Sequence, residues 1–249
     1  MNARTSELQQ LALLDEAGTV RDAWRVRQSL RATRLTVRVL PGGYVEIVVP
    51  RGTCPRAIEH FVTCHRRWIE HKIAQYRPLD AAPAGRLPKG ICFAAIGRRY
   101  ELQRIESSGP PRLEVHGETI RILGERSRPA LLRHALQRFT MREAHSTLAP
   151  WLAGLSAATG LRYARLQIRR QRTRWGSSSR SGTISLNACL LFQEPAIVNY
   201  LLIHELAHTR HMNHSWRFWA LVARIEPRWR ELDRALSQGW CNVPSWALD

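Results

Sequence analysis

At 249 residues with 44% hydrophobic content, the chain is long and apolar enough to bury a substantial core, which excludes a disordered or purely polar protein. A net charge of +18, carried by 36 arginines against only Lys72 and Lys89, favours nucleic acid, nucleotides or acidic protein surfaces as partners. Residues 1–24 hold scattered charges and no apolar core, so no signal peptide is expected, and the longest uncharged run, 144–161, is interrupted by Pro150 and two glycines, so no membrane span is expected either. Five dispersed cysteines without a C-x-x-C pair argue against a disulfide framework or a thiolate zinc site, and point to a cytoplasmic protein.

In chain order, residues 1–27 read as a polar, partly helical leader. Residues 34–40 alternate and are rich in β-branched types, Pro41-Gly42-Gly43 turns, and 44–49 returns, which predicts a β-hairpin. Thr53 is placed to cap a helix whose first turn holds Pro55 and whose apolar face includes Ile58, Val62, Ile69 and Ile73. His60, His65 and His71 lie on that helix at spacings of 5 and 6, which do not converge on one metal. Residues 77–89, with three prolines, read as a loop. Strands are predicted at 91–96 and 99–105, then a second hairpin, 112–116 and 118–123, around Gly117. A helix begins near Arg128, with Leu132, Ala135, Leu136 and Phe139 on one face, His134 and His145 as packed residues along it, and a break expected at Pro150. Residues 161–170 form a strand candidate, 172–182 a Ser/Gly-rich loop, and 183–187 another short strand. The tail from Glu226 holds Trp229, Trp240 and Trp246, which suit a core cover.

The chemistry concentrates in residues 196–210. Pro195 suits a first helical position, and no other proline or glycine interrupts the stretch. Within it, His204 and His208 of a His-Glu-x-x-His sequence stand one helical turn apart, so both imidazoles leave the same face and can share one zinc ion. Glu205 lies about 100° round the helix from His204, where a carboxylate flanks the metal and can take a proton from its bound water. A third ligand comes from His211 or His214. His211 sits two turns from His204, about 10 Å along the axis, too far for one ion on a straight helix. His214 is favoured because Asn213 tolerates a helix-ending conformation and Ser215 reads as the N-cap of a second helix, 216–225, so a turn can bring His214 back.

Taken with that motif, Arg174-Trp-Gly-Ser177, Gly182-Thr-Ile-Ser-Leu-Asn187, Asn213-His-Ser215 and Phe218-Trp219 resemble the YgjP-like metallopeptidase family, itself related to SprT-like and other zincin peptidases. The resemblance implies a zincin fold holding one zinc per chain, with His204, His208 and His214 as ligands and Glu205 as catalytic base. It departs at Ser178, where the family usually has cysteine. It also implies substrate contacts at Trp175, Gly176, Ser177, Ile184 and Asn187, with the strand 183–187 as the edge along which an extended peptide adds.

The fold expected is therefore α+β: a leader, 1–27; a β-rich part, 28–125, with hairpins and one long helix; and a minimal zincin-like catalytic part, 126–243. The expected activity is hydrolysis of a protein or peptide substrate. No acidic residue occurs between Glu143 and Glu194, while seven arginines fall within 162–180, so Arg169, Arg170 and Arg172 are candidate nucleic-acid contacts. Two other readings use the same residues: a metal-dependent nucleotide phosphohydrolase, and a nucleic-acid-binding module with a structural zinc. The first lacks a Gly-rich phosphate loop, and the second leaves Glu205 without a purpose.

Overall fold

A computed structural model describes residues 24–76, 88–108, 110–124 and 129–248. Most of the predicted leader and most of the loop after residue 76 lie outside the described residues. Contacts group the chain into two compact units, 1–78 and 79–249. The strands at 90–123 fall in the second unit, together with the histidine helix.

In the first unit, β1 (Trp24–Ser29), β2 (Thr36–Val39) and β3 (Val45–Pro50) form a sheet in the order β1-β3-β2. β2 and β3 make the predicted hairpin, while β1 adds parallel to the other edge of β3. The leader reading thus ends too late, since Trp24 and Val26 pack on the core and their segment is a strand. Val45, Ile47 and Val49 face one side of β3 at the strand period of two, and Ile58 and Ile69 of α1 (Pro55–Tyr76) close that side. The turn of the hairpin requires Gly42 and Gly43, both at positive φ; a side chain at Gly43 would in addition press on Ile73.

Among the described residues, the second unit holds two sheets. β4 (Gly90–Phe93), β5 (Arg98–Ile105), β6 (Arg112–His116) and β7 (Thr119–Leu123) run in the order β4-β5-β7-β6, with β6–β7 the second predicted hairpin. Phe93 and Tyr100 of this sheet pack on Phe139 of α2 (Pro129–Thr159). α2 passes through Pro150 without ending. One main-chain bond is lost there, and burial of Leu148 and Leu152, both 0% exposed on either side of it, outweighs that loss. His134 and His145 face solvent along this helix instead of packing.

The smaller sheet carries β8 (Arg165–Arg169), β9 (Gly176–Ser178) and β10 (Thr183–Asn187) in the order β8-β10-β9. β9 lies inside the stretch that reads as loop; its Gly-Ser-Ser composition carries no strand signal, and pairing with β10 makes it one. Then come α3 (Pro195–His208), α4 (Trp216–Ile225), α5 (Trp229–Gln238) and the short α6 (Ser245–Leu248). α3 is buried nearly all round, packed against α4, α5 and β9, which is why its sequence shows no polar face. Among the described residues, no helix is long and apolar enough to cross a membrane. All five cysteines are free thiols.

Candidate metal centre

His204 and His208 sit on the last turns of α3, and His214 returns to them from the turn before α4. Among the described residues these three form the one group that offers metal-ligand atoms within 4.8 Å of one another. His204 Nε2 stands 3.2 Å from His208 Nε2 and 3.2 Å from His214 Nε2. All three rings rest on Phe218, fully buried in α4, at centroid distances of 5.0, 4.5 and 4.8 Å. His214 is exposed, and its ring is held by stacking on Trp219, which stacks in turn on Trp229. His211 does not join the cluster; it contributes its main-chain carbonyl, 3.1 Å from His208 Nδ1.

That carbonyl decides a proton position. A carbonyl only accepts, so His208 must carry its hydrogen on Nδ1, which leaves an unprotonated Nε2. Burial first, then the neighbouring His208 and His214, pushes His204 down to about 3, so it too is neutral near pH 7. His208 is lowered chiefly by burial. With His204 also unprotonated at Nε2, two lone pairs would face each other at 3.2 Å and repel unless a cation lay among them. A borderline-soft divalent ion held by three imidazole nitrogens answers that arrangement, so the donor set fits zinc.

Glu205, the residue after His204, lies beneath β9. It is 4% exposed, and its Oε2 is buried without a hydrogen-bond partner. Burial pushes its carboxyl up to about 8, against the pull of the Arg174 guanidinium. Gly176 is what makes room for it: a Cβ at that position would lie 2.5 Å from Glu205 Oε1 and 2.9 Å from its Cδ. Ser178, two residues on and on the same face of β9, also has a buried, unpartnered hydroxyl.

β10 is central in its sheet, parallel to β8 and antiparallel to β9, so it offers no free edge to a peptide. Ile184 and Asn187 are both 0% exposed. The Asn187 side chain donates to the carbonyls of Gln171 and Arg174 and accepts from Cys189 N, clamping the loop ahead of β9. Trp175 is also buried, stacked on Trp240 at 3.9 Å with its Nε1 donating to Leu236 O. These three side chains are packed inward and hold the strands beside the site in place. Gly176 and Ser177 remain on the strand that borders it. Bonded pairs at Trp175–Asn187 and Ser179–Thr183 leave the N–H and C=O groups of Gly176 and Ser178 directed away from β10. The free edge is therefore β9. Two groups that sequence reasoning missed are Tyr200, one turn before His204, and Asp233 of α5, whose Oδ1 accepts from the Tyr200 hydroxyl at 2.8 Å.

The sequence profile described as YgjP-like, metallopeptidase domain, matches residues 33–239. The chain belongs to the YgjP-like metallopeptidase family. Membership makes it an enzyme whose catalysis uses a metal. No curated protein matches this YgjP-like chain. Among solved structures, the crystal structure of the metallopeptidase zymogen of Pyrococcus abyssi abylysin is similar at 29% identity, over 37% of this chain and 94% of that one, with a TM-score of 0.34.

Proposed function

We propose that this YgjP-like protein is a zinc-dependent peptidase, with His204, His208 and His214 holding one ion and Glu205 serving as the general base. The observation that carries the reading is the convergence of three imidazole Nε2 atoms beside a buried glutamate with an unpartnered oxygen. When bound, zinc supplies Lewis acidity, bringing the pKa of a water towards about 7 and polarising a carbonyl. Glu205 takes the proton of the attacking water and passes it to the leaving amine. Burial raises the affinity of the Glu205 carboxylate for the proton it takes. Phe218 and the buried walls of α3 pack against the rings of His204 and His208. An extended substrate adds to the edge of β9 through the main-chain groups of Gly176 and Ser178, which gives affinity with little side-chain selectivity.

The basic stretch adds a second element. Arg169, Arg170 and Arg172 are all exposed, Arg169 donating to Gln167 Oε1 and Arg170 reaching the carbonyl of Ala247 at 3.5 Å, so all three lie where they can meet phosphate. A peptidase brought to nucleic acid by this surface, in the cytoplasm, unites these features. The purified zinc form should cleave an unstructured protein such as casein and leave nucleoside triphosphates intact. Phosphate release without peptide cleavage would instead establish the phosphohydrolase, and zinc binding with neither activity the structural-zinc module.

A further inference from the structure

A hydrogen-bond chain runs from α5 to the imidazole of His204. The Tyr200 hydroxyl donates to Asp233 Oδ1 at 2.8 Å and lies 3.3 Å from His204 Nδ1. Tyr200 is fully buried and one turn before His204 on α3. A phenol has one proton, and here it is committed to a carboxylate, which can only accept. The contact with His204 is then a hydrogen bond only if Nδ1 carries the hydrogen and the phenol oxygen accepts it. In that tautomer Nε2 is bare, and Nε2 is the atom that faces His208 and His214.

We propose that Asp233, acting through Tyr200, is a positioning residue that locks His204 in its Nδ1–H tautomer and presents the Nε2 lone pair to the metal. The two helix ligands need different locks because of where they stand. His208 is at the C-terminal end of α3, where the chain turns and the His211 carbonyl is free to accept. His204 is in the helix interior, where main-chain carbonyls are engaged by the helix itself, so its acceptor has to be a side chain one turn back. α5 does two jobs at once. Three residues after Asp233, the Leu236 carbonyl accepts from Trp175 Nε1 at 3.1 Å, next to the glycine that roofs Glu205. One helix thus fixes both the ligand and the strand across the site. Negative charge conducted towards the ring also strengthens Nε2 as a ligand.

The inference rests on the zinc reading, but the proton position can be read in metal-free protein. The variants are Tyr200→Phe, Asp233→Ala and Asp233→Asn. Long-range proton–nitrogen NMR correlations of 15N-histidine-labelled protein, with His204 assigned by comparison with His204→Ala, report the tautomer. The wild type should show Nδ1–H. Tyr200→Phe should lose the preference. In Asp233→Ala the phenol is free to donate to Nδ1, so the tautomer should reverse. Asp233→Asn keeps an accepting oxygen and should retain the wild-type tautomer. Zinc affinity, measured by chelator competition, should fall about 10–100-fold in Tyr200→Phe and Asp233→Ala and stay near wild type in Asp233→Asn. A purely structural role would lower the melting temperature and leave the tautomer unmoved, which overturns the proposal. So does wild-type tautomer and zinc affinity in both Tyr200→Phe and Asp233→Ala. If the tautomers shift as stated while the wild type binds no zinc, the lock stands and the zinc reading falls.

Discussion

Replacing Gly176 with alanine perturbs the centre at one atom. The backbone at Gly176 is not among the positive-φ glycines, so alanine adds no conformational strain there. Its methyl carbon would lie 2.5 Å from Glu205 Oε1, where ordinary contact begins at 3.4 Å, so the carboxylate has to retreat by about 0.9 Å, and a displacement near 1 Å costs about 10²-fold in rate. The obstacle is the Glu205 side chain from Cγ outwards rather than main chain, so the cost to the fold is the about 1–3 kcal/mol of ordinary overpacking. The expected result is a folded protein with full zinc content and turnover reduced about 10²-fold. The assay is metal analysis, thermal melting and hydrolysis of an unstructured protein. In a Glu205→Gln background the same change should cost almost nothing further, because both act on one group. Undiminished turnover in Gly176→Ala would refute the placement of Glu205 at the reacting atoms. Loss of zinc would show that the strand supports the ligands instead.

Two more predictions concern the ligands and the basic surface. His214→Ala should lose zinc on dialysis far more readily than His211→Ala, since His211 contributes only a main-chain carbonyl that alanine retains; equal retention would reverse the assignment. If the arginine stretch binds nucleic acid, log affinity for duplex DNA should fall with log salt at about 0.9 per phosphate neutralised, and replacing Arg169, Arg170 and Arg172 with glutamine should weaken binding and flatten that slope. No binding by the wild type at low salt would reduce the stretch to a solvated face.

The features that the sequence makes legible are local ones. The His204–His208 spacing fixes a shared face on any helix; the stop expected at Asn213 falls earlier, at Thr209, and Asn213 is not left-handed, yet Ser215 does begin the next helix and His214 returns from the turn before it. Both hairpins and α4 follow from short-range pattern, and α4 spans the residues expected of it. What was hidden depends on residues far apart. β10 reads as an edge because nothing in five residues tells a central strand from an outer one; its parallel partner β8 ends fourteen residues before it begins. Trp175 resembles a site residue by motif, yet its ring is occupied by Trp240, 65 positions away. Gly176 is informative only once Glu205 is seen beneath it. Tyr200 lies at a helical spacing from His204 that could have drawn notice, but Asp233, which sets the direction of the phenol's proton, lies on another helix.

The claim on which everything else depends is that Glu205 moves a proton and does not hold the metal. Glu205→Gln keeps the size of the side chain and removes the basic carboxylate. Zinc content and melting behaviour should stay those of the wild type, while turnover of an unstructured protein substrate should fall by about 10²–10⁴-fold, the usual worth of a positioned base. A variant that keeps its zinc and its full turnover would contradict the account.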